Sequence, residues 1–263
     1  KRQDHSHKVA LLLQHPHRSR AVNIRVDAFA VVEHDTVLGE GTWIMSGGHV
    51  LAGSRLGKNC RIHQGAVVGG LPQDLKFSGE YSEVFLGDSC IVREGATINR
   101  GTKAYGKTTL GKECLVMAYA HVAHDCIIGD QVILVNNVAL AGHVEIGDWS
   151  ILGGLSAVHQ FVKIGSHVMV GGGSLVRKDI PPFITVAREP LTFEGVNAVG
   201  LRRRGFSNAR IEEIHHAYRL LYQSGFNTTQ AVSEIEREVS ASPERTELIK
   251  FVLASDRGIV RKL

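Results

Sequence analysis

Leu110-Gly111-Lys112-Glu113-Cys114-Leu115, Ile128-Gly129-Asp130-Gln131-Val132-Ile133, Ile146-Gly147-Asp148-Trp149-Ser150-Ile151 and Ile164-Gly165-Ser166-His167-Val168-Met169 repeat one pattern. It runs aliphatic, glycine, two mostly polar residues, a small residue, then another aliphatic. The four glycines stand 18 residues apart, which is three sixes. Toward the N-terminus the pattern returns at Leu86-Gly87, Leu56-Gly57 and Leu38-Gly39. The residue three after each glycine is always small: Thr42, Cys60, Cys90, Cys114, Val132, Ser150 and Val168. A hexapeptide period held in this way marks a solenoid of short parallel strands, three per coil, with the small residues in a narrow interior. The fold class is mainly β, a parallel β-helix.

Composition agrees. The chain has 263 residues, 29 glycines and only 6% aromatics, as suits tight coils without bulky cores. A formal net charge of +4 leaves no footprint for nucleic acid. No apolar run approaches the roughly 18 residues that span a membrane. The short run Val9–Leu13 is too brief for a secretory segment, so the expected location is the cytoplasm. Cys60, Cys90 and Cys114 share the interior position, where a thiol behaves as a small hydrophobe. Neither disulfides nor a zinc cluster are expected from their spacing.

The repeat divides the chain into a degenerate N-terminal segment (1–25), a β-helix (26–186) and a C-terminal helical domain (187–263). Residues 1–23, rich in His, Lys and Arg, read as a worn first coil or an arm. The spacing between Gly57 and Gly87 is 30, and between Gly87 and Gly111 it is 24, so two insertions are expected. They fall near Leu71–Glu80 and Arg100–Lys107, and solenoids loop such insertions out on one face. Both are polar and are read as walls of a site. Pro181-Pro182 reads as the end of the solenoid. Beyond it the period turns helical, with Ser207, Asn227 and Ser242 as N-caps, Pro243 at a first helical position, and Gly225 and Gly258 as stops.

Histidines concentrate in the best-formed coils: His121 and His124, then His143, then His159. Adding 18 stacks His124, Gly142 and Gln160 in one column, with Asp125 and His143 in the next. Imidazoles, a carboxylate, a carboxamide and a bare glycine backbone thus converge on one edge of three coils. Histidine accepts a proton near neutral pH, a carboxylate sets its tautomer, and a backbone N–H can hold an oxyanion. That set suits acyl transfer by direct attack of an acceptor on a donor. The residues alone also admit a decorated solvent-facing corner, a subunit interface, a zinc site, or a silent scaffold.

From about Val26 to Arg261 the chain resembles the acyl-ACP:UDP-N-acetylglucosamine O-acyltransferases of lipid A biosynthesis. The resemblance rests on Pro72-Gln73-Asp74-Leu75-Lys76, His121-Val122-Ala123-His124-Asp125-Cys126, Leu140-Ala141-Gly142-His143-Val144, Ala157-Val158-His159-Gln160-Phe161, His167–Gly172 and Gly200-Leu201-Arg202-Arg203-Arg204-Gly205-Phe206. It implies a left-handed parallel β-helix, a homotrimer with active sites between subunits, and a C-terminal helical cap. It implies transfer of a 3-hydroxyacyl chain from acyl carrier protein to the 3-position of UDP-N-acetylglucosamine, with no cofactor and no metal. Carried over residue by residue, His124 matches the general base, Asp125 its support and Gly142 the oxyanion donor. Gln73, Asp74 and Lys76 match the loop that meets the sugar. His121, His143, His159 and Gln160 match the lining of the sugar, pantetheine and acyl pocket. Asn197, Arg203 and Arg204 match the nucleotide region. Gly172 matches a position setting chain length, and Leu175 stands where some members carry a smaller residue.

Three departures from the family pattern stand out, and the first two bear on the acceptor. Asn99 stands where many members have His, Val199 where many have Glu, and His15-Pro16 is a rough match to the usual opening. Asn99 and Val199 leave two acceptors, a 3-hydroxyl or the 3-amine of an analogue sugar. Other readings are a related N-acyltransferase or CoA-dependent acetyltransferase, which the Gln73-to-Lys76 loop and the Arg202-Arg203-Arg204 segment oppose, and a zinc-dependent hydratase on the same solenoid. Arg202, Arg210, Arg219, Lys163 and Lys178 are the basic candidates for docking an acidic carrier.

Overall fold

The computed structural model describes residues 23–262. The expectations for residues 1–22, including the worn coil and His15-Pro16, lie outside the described residues. Within them the chain winds as a three-sided left-handed parallel β-helix. Face 1 begins at Arg25–Val26, face 2 at Val31–Val32 and face 3 at Val37–Leu38, and each coil adds one short strand to each face. Described strands number ten, eight and seven on the three faces. Pairing keeps the 18-residue register where no insertion intervenes, as in Ile133 opposite Ile151 and His121 opposite Ala139.

The backbone explains the period of six. Ten successive corner residues, from Glu113, Tyr119 and Asp125 through Phe161 to His167, have φ between 55° and 63° at six-residue intervals, and none is glycine. Each left-handed residue costs roughly 1–2 kcal/mol, which the stacked ladders offset. The repeat glycines serve a different end. A Cβ on Gly111 would lie 2.7 Å from the backbone of Gly129 in the next coil, so glycine is needed for coils to stack.

Inside, the aliphatics before the glycines from Leu56 to Ile164 and the small column are buried, while Leu38 in the first repeat is partly buried. The small column is polar for a reason. Thr42 Oγ1 donates to the Gly57 carbonyl at 3.0 Å and Ser150 Oγ to that of Gly165 at 2.8 Å. The Cys60, Cys90 and Cys114 thiols likewise reach the glycine carbonyls of the next coil at 3.0–3.3 Å. These cysteines are therefore donors as well as small hydrophobes.

Pro181-Pro182 does not end the solenoid. Ile184–Ala187 adds one more parallel strand to face 1, and Thr192–Val196 pairs antiparallel on it. The sequence pattern missed that last strand because its partner is antiparallel and the hexapeptide phrase is gone. Four helices follow: α1 (Ala198–Arg203), α2 (Asn208–Gln223), α3 (Thr228–Glu238) and α4 (Pro243–Leu253). Ser207, Asn227 and Ser242 accept the N–H groups of Arg210, Gln230 and Arg245 as N-caps. Helix α4 stops at Leu253 rather than at Gly258, where a left-handed glycine instead leads a return strand segment against Asp179. Tyr218 ties the helices to the solenoid end through its hydroxyl, which donates to the Pro182 carbonyl. None of the described helices is long and apolar enough to cross a membrane.

Candidate active site

The corner from face 2 to face 3 collects the expected chemistry. His124 and Asp125 follow the strand His121–Val122, His143 follows Ala139–Leu140, and Gln160 follows Ala157–Val158. Both insertions leave the solenoid at this same edge, after Val67–Gly70 and after Thr97–Asn99. One edge therefore holds the histidines and both loops.

Asp125 is fully buried, and its Oδ2 accepts a hydrogen bond from His124 Nδ1 at 2.8 Å. A carboxylate accepts, so Nδ1 carries the hydrogen and the Nε2 lone pair of His124 is left free. Gly142 lies directly against that ring. A Cβ at 142 would sit 2.5 Å from His124 Cε1 and 2.7 Å from Nε2, so no larger residue leaves the imidazole in place. The Gly142 N–H donates to no protein group among the described residues. A free base and a free N–H thus sit side by side.

His143 stands edge-on to His124 at 5.2 Å between ring centres, with its Nε2 3.8 Å from Asp125 Oδ2. Phe161 stacks on it at 4.5 Å and Tyr105 meets it edge-on at 5.2 Å. Burial lowers its pKa, while the Asp125 charge pulls the other way. Its buried Nδ1 has no partner among the described residues, which leaves it open to a ligand. His121 pairs with Thr97 Oγ1 at 2.7 Å, and its pKa too is lowered, first by burial and then by His124. Asp74 is half-buried in the first loop and its charge reaches His143, whereas Gln73 and Lys76 are exposed on the same loop. His159 and Gln160 are exposed on this edge, with the Gln160 carbonyl taken by Arg257 Nη2 at 2.9 Å.

Other expected residues lie elsewhere. Asn197 caps α1, accepting from the Gly200 N–H at 3.2 Å and donating to the His167 carbonyl at 2.9 Å. Arg204 donates to the Trp149 carbonyl at 2.7 Å and lies over the Trp149 ring, while Arg203 is exposed. Trp149 and His167 occupy the corner from face 3 to face 1, so within one chain this group is on a different edge from His124. Gly172 sits on the third edge, between faces 1 and 2. Leu175 is on the outside of face 2, in line with His121, Ala139 and Ala157. Asn99 is buried and donates to the Leu71 carbonyl at 2.7 Å, so it anchors the first loop; Val199 is exposed on α1.

Sequence reasoning missed Phe161 and Tyr105, which pack on His143, and Thr102, whose N–H and hydroxyl donate to Asp125. Phe161 was findable, since it is 18 residues beyond His143. The other two belong to an insertion, where the register says nothing. His124, Asp125 and His143 also form a group whose ligating atoms lie within 4.8 Å, a possible cation site. A metal bound through His124 Nδ1 would displace the hydrogen bond from His124 to Asp125.

Comparison with known proteins places the chain first in a class. Residues 35–70 and 107–142 match the bacterial transferase hexapeptide model, and residues 179–260 match domain 2 of UDP-N-acetylglucosamine O-acyltransferase. Acyl-[acyl-carrier-protein]–UDP-N-acetylglucosamine O-acyltransferases are close relatives. That of Campylobacter concisus is 40% identical over 89% of each chain, and that of Pseudomonas savastanoi is 42% identical over 78% of this chain and 80% of its own. The solved UDP-N-acetylglucosamine acyltransferase of Bacteroides fragilis is 44% identical with a TM-score of 0.85, covering 92% of this chain and 96% of that one. That of Moraxella catarrhalis is 36% identical with a TM-score of 0.82, covering 91% and 98%. The chain belongs to the acyl-[acyl-carrier-protein]–UDP-N-acetylglucosamine O-acyltransferase family.

Proposed function

We propose that the chain catalyses transfer of a 3-hydroxyacyl group from acyl carrier protein to the 3-hydroxyl of UDP-N-acetylglucosamine in the cytoplasm, the first step of lipid A biosynthesis. The observation that carries this reading is the His124 Nε2, free beside the uncapped Gly142 N–H with Nδ1 held by Asp125. His124 takes the proton of the acceptor hydroxyl as its oxygen attacks the thioester carbonyl. The Gly142 N–H receives the developing oxyanion. Collapse breaks the carbon–sulfur bond, and the departing thiolate of the carrier's arm takes the proton back from His124. Gln73, Asp74 and Lys76 meet the sugar, with His143 Nδ1 as a further donor or acceptor. An O-acyl product follows the names of the relatives and selects the hydroxyl over the 3-amine.

Supporting a homotrimer, Asn197, Arg203 and Arg204 cannot join His124 within one chain, because they lie on another edge. A second copy supplies them for the nucleotide. Over five coils, from Ile91 through Leu115, Ile133 and Ile151 to Met169, the outer column of face 1 is apolar and suits such contact, whereas Arg25 and Arg61 precede it in the same column. For the acyl chain, the outer column of face 2 forms a trough floored by Ala139 and Ala157 from His121 to Leu175. Three coil steps make it about 14 Å long, enough for a medium-to-long chain that ends at Leu175, with Gly172 at the neighbouring edge. An acidic carrier is drawn by exposed bases such as Arg202 and Arg219, so its KM rises with salt.

The test is acyl transfer from 3-hydroxyacyl carrier protein to UDP-N-acetylglucosamine and to its 3-amino analogue. The native sugar is expected to react, and His124→Ala to lose roughly 10²–10⁴ in rate while the fold persists. A His124→Ala rate within about threefold of the parent's, against the far larger loss expected of a base, overturns the assignment.

A further inference from the structure

The second insertion reaches under the histidines. Asp125 is 0% exposed, and its carboxylate receives four donors. Oδ1 takes the Thr102 N–H at 3.0 Å and the Tyr105 N–H at 3.3 Å. Oδ2 takes the Thr102 hydroxyl at 2.7 Å and His124 Nδ1 at 2.8 Å. The hydroxyl's direction is fixed, because Thr102 Oγ1 also accepts the Ala104 N–H at 3.2 Å and so spends its hydrogen on Asp125. The Asp125 N–H in turn donates to Thr108 Oγ1 at 2.8 Å, just after the same loop returns to the solenoid.

The loop is built to hold this position. A Cβ on Gly101 would lie 2.6 Å from Lys107 Cα, so the neck closes only with glycine there. The Gly106 N–H donates to the Thr102 carbonyl at 2.6 Å, and the Lys103 N–H donates to Glu80 Oε1 of the first loop at 3.1 Å. The loop that meets the sugar and the loop that holds the carboxylate are thus fastened together.

A carboxylate has a competitor for its hydrogen bond here. His143 Nε2 is 3.8 Å from the same Oδ2 that serves His124. The final torsion of an aspartate is broad and roughly two-fold, so the carboxylate can turn unless both oxygens are pinned. We propose that Thr102 is a positioning residue for the base: its hydroxyl and N–H pin the two oxygens of Asp125, direct Oδ2 to His124 rather than His143, and thereby fix the tautomer and tilt of the His124 ring. This rests on the reading of His124 as the base. Thr102 touches neither substrate in this account and acts through Asp125.

The test compares Thr102→Val, Thr102→Ser, Asp125→Asn and the double variant Thr102→Val/Asp125→Asn, with His124→Ala as reference. Deleting a hydrogen bond to a charged group should lower kcat about 10- to 100-fold in Thr102→Val, with both KM values within about twofold. Thr102→Ser, which keeps the hydroxyl, should return kcat to within about threefold of the parent, since the charge-assisted bond is retained. In the Asp125→Asn background Thr102→Val should cost less than about twofold more, because residues acting as a unit are non-additive. If valine is not accommodated in the fold, Thr102→Ala repeats the arm with the same expectation. The proposal is overturned if Thr102→Val keeps the parent kcat, if it raises KM alone, if serine fails to restore kcat, or if its cost is undiminished beside Asp125→Asn. Full activity in His124→Ala overturns the underlying reading as well, and so separates the two failures.

Discussion

Two edges of this solenoid share one backbone and differ in one side-chain column. At the edge between faces 3 and 1, the residue before each left-handed corner is often aspartate. Asp88, Asp130 and Asp148 each extend Oδ1 to the N–H of the preceding coil, at Lys58 (2.7 Å), Lys112 (2.9 Å) and Asp130 (2.7 Å). At the edge between faces 2 and 3, the same position is occupied by His124, Gly142 and Gln160. Among the described residues none of these side chains caps a neighbouring coil, and the Gly142 N–H stays free. The ladder that stabilises one edge is withheld from the other, where the proposed mechanism calls for an uncapped donor and an uncrowded imidazole.

The largest contrast is expected between substitutions at equivalent positions. Gly142→Ala drives a methyl group into the His124 ring, which must move by about an ångström. Misplacement on that scale costs roughly 10² in rate, so kcat should fall about a hundredfold while the coils remain. Asp130→Ala removes one cap at the other edge. It should cost about 1 kcal/mol of stability and leave kcat unchanged, measured by denaturant unfolding alongside the transfer assay. Equal activity losses in the two variants would sink the division between edges.

A sharper version moves the ladder into the site. Gln160→Asp places at the proposed catalytic edge the residue that Asp148 represents at the other, in register to accept the Gly142 N–H. With the proposed oxyanion donor occupied, kcat should drop by about 10- to 100-fold. A structure of the variant should show the carboxylate on Gly142 N. If that hydrogen bond forms and kcat holds, Gly142 is not the oxyanion donor.

Much of this was legible in the sequence because the fold is periodic. The hexapeptide register places His124, Gly142 and Gln160 on one edge, and Asp125 and His143 beside them, by addition alone. Phe161 follows from the same arithmetic. The helix caps at Ser207, Asn227 and Ser242 were equally plain, since capping chemistry is local. What the register could not supply lay where it breaks. Thr102 and Tyr105 sit in an insertion, so no column predicts that they serve Asp125. The antiparallel strand Thr192–Val196 follows a different pairing geometry and has no hexapeptide signature. Asn197 and Arg204 were found as motif residues, yet their place on another edge depends on how the chain turns back after the solenoid.

The smallest expected effect is on stability and belongs to the edge between faces 3 and 1. His167 stacks between Trp149 and Phe183, with Phe206 edge-on and Arg204 Nη1 3.4 Å from its Nδ1. Burial, and then the Arg204 charge, push its pKa down from 6.5 to about 4. In the unfolded chain the same imidazole takes up a proton as the pH falls through about 6.5, while the native one resists until about 4. The unfolded state therefore binds more protons in that window, and native stability declines as pH drops across it. Well above pH 6.5 neither state is charged and the effect vanishes. His121 and His143 shift the same way, so they add to the slope. His167→Phe keeps an aromatic ring between Trp149 and Phe183 but cannot titrate. Its melting temperature, followed from pH 7 to about 4, should fall less steeply than that of the parent. Parallel slopes would mean that the acid sensitivity arises away from His167, as at His121 and His143, and not at the edge that the aspartate ladder closes.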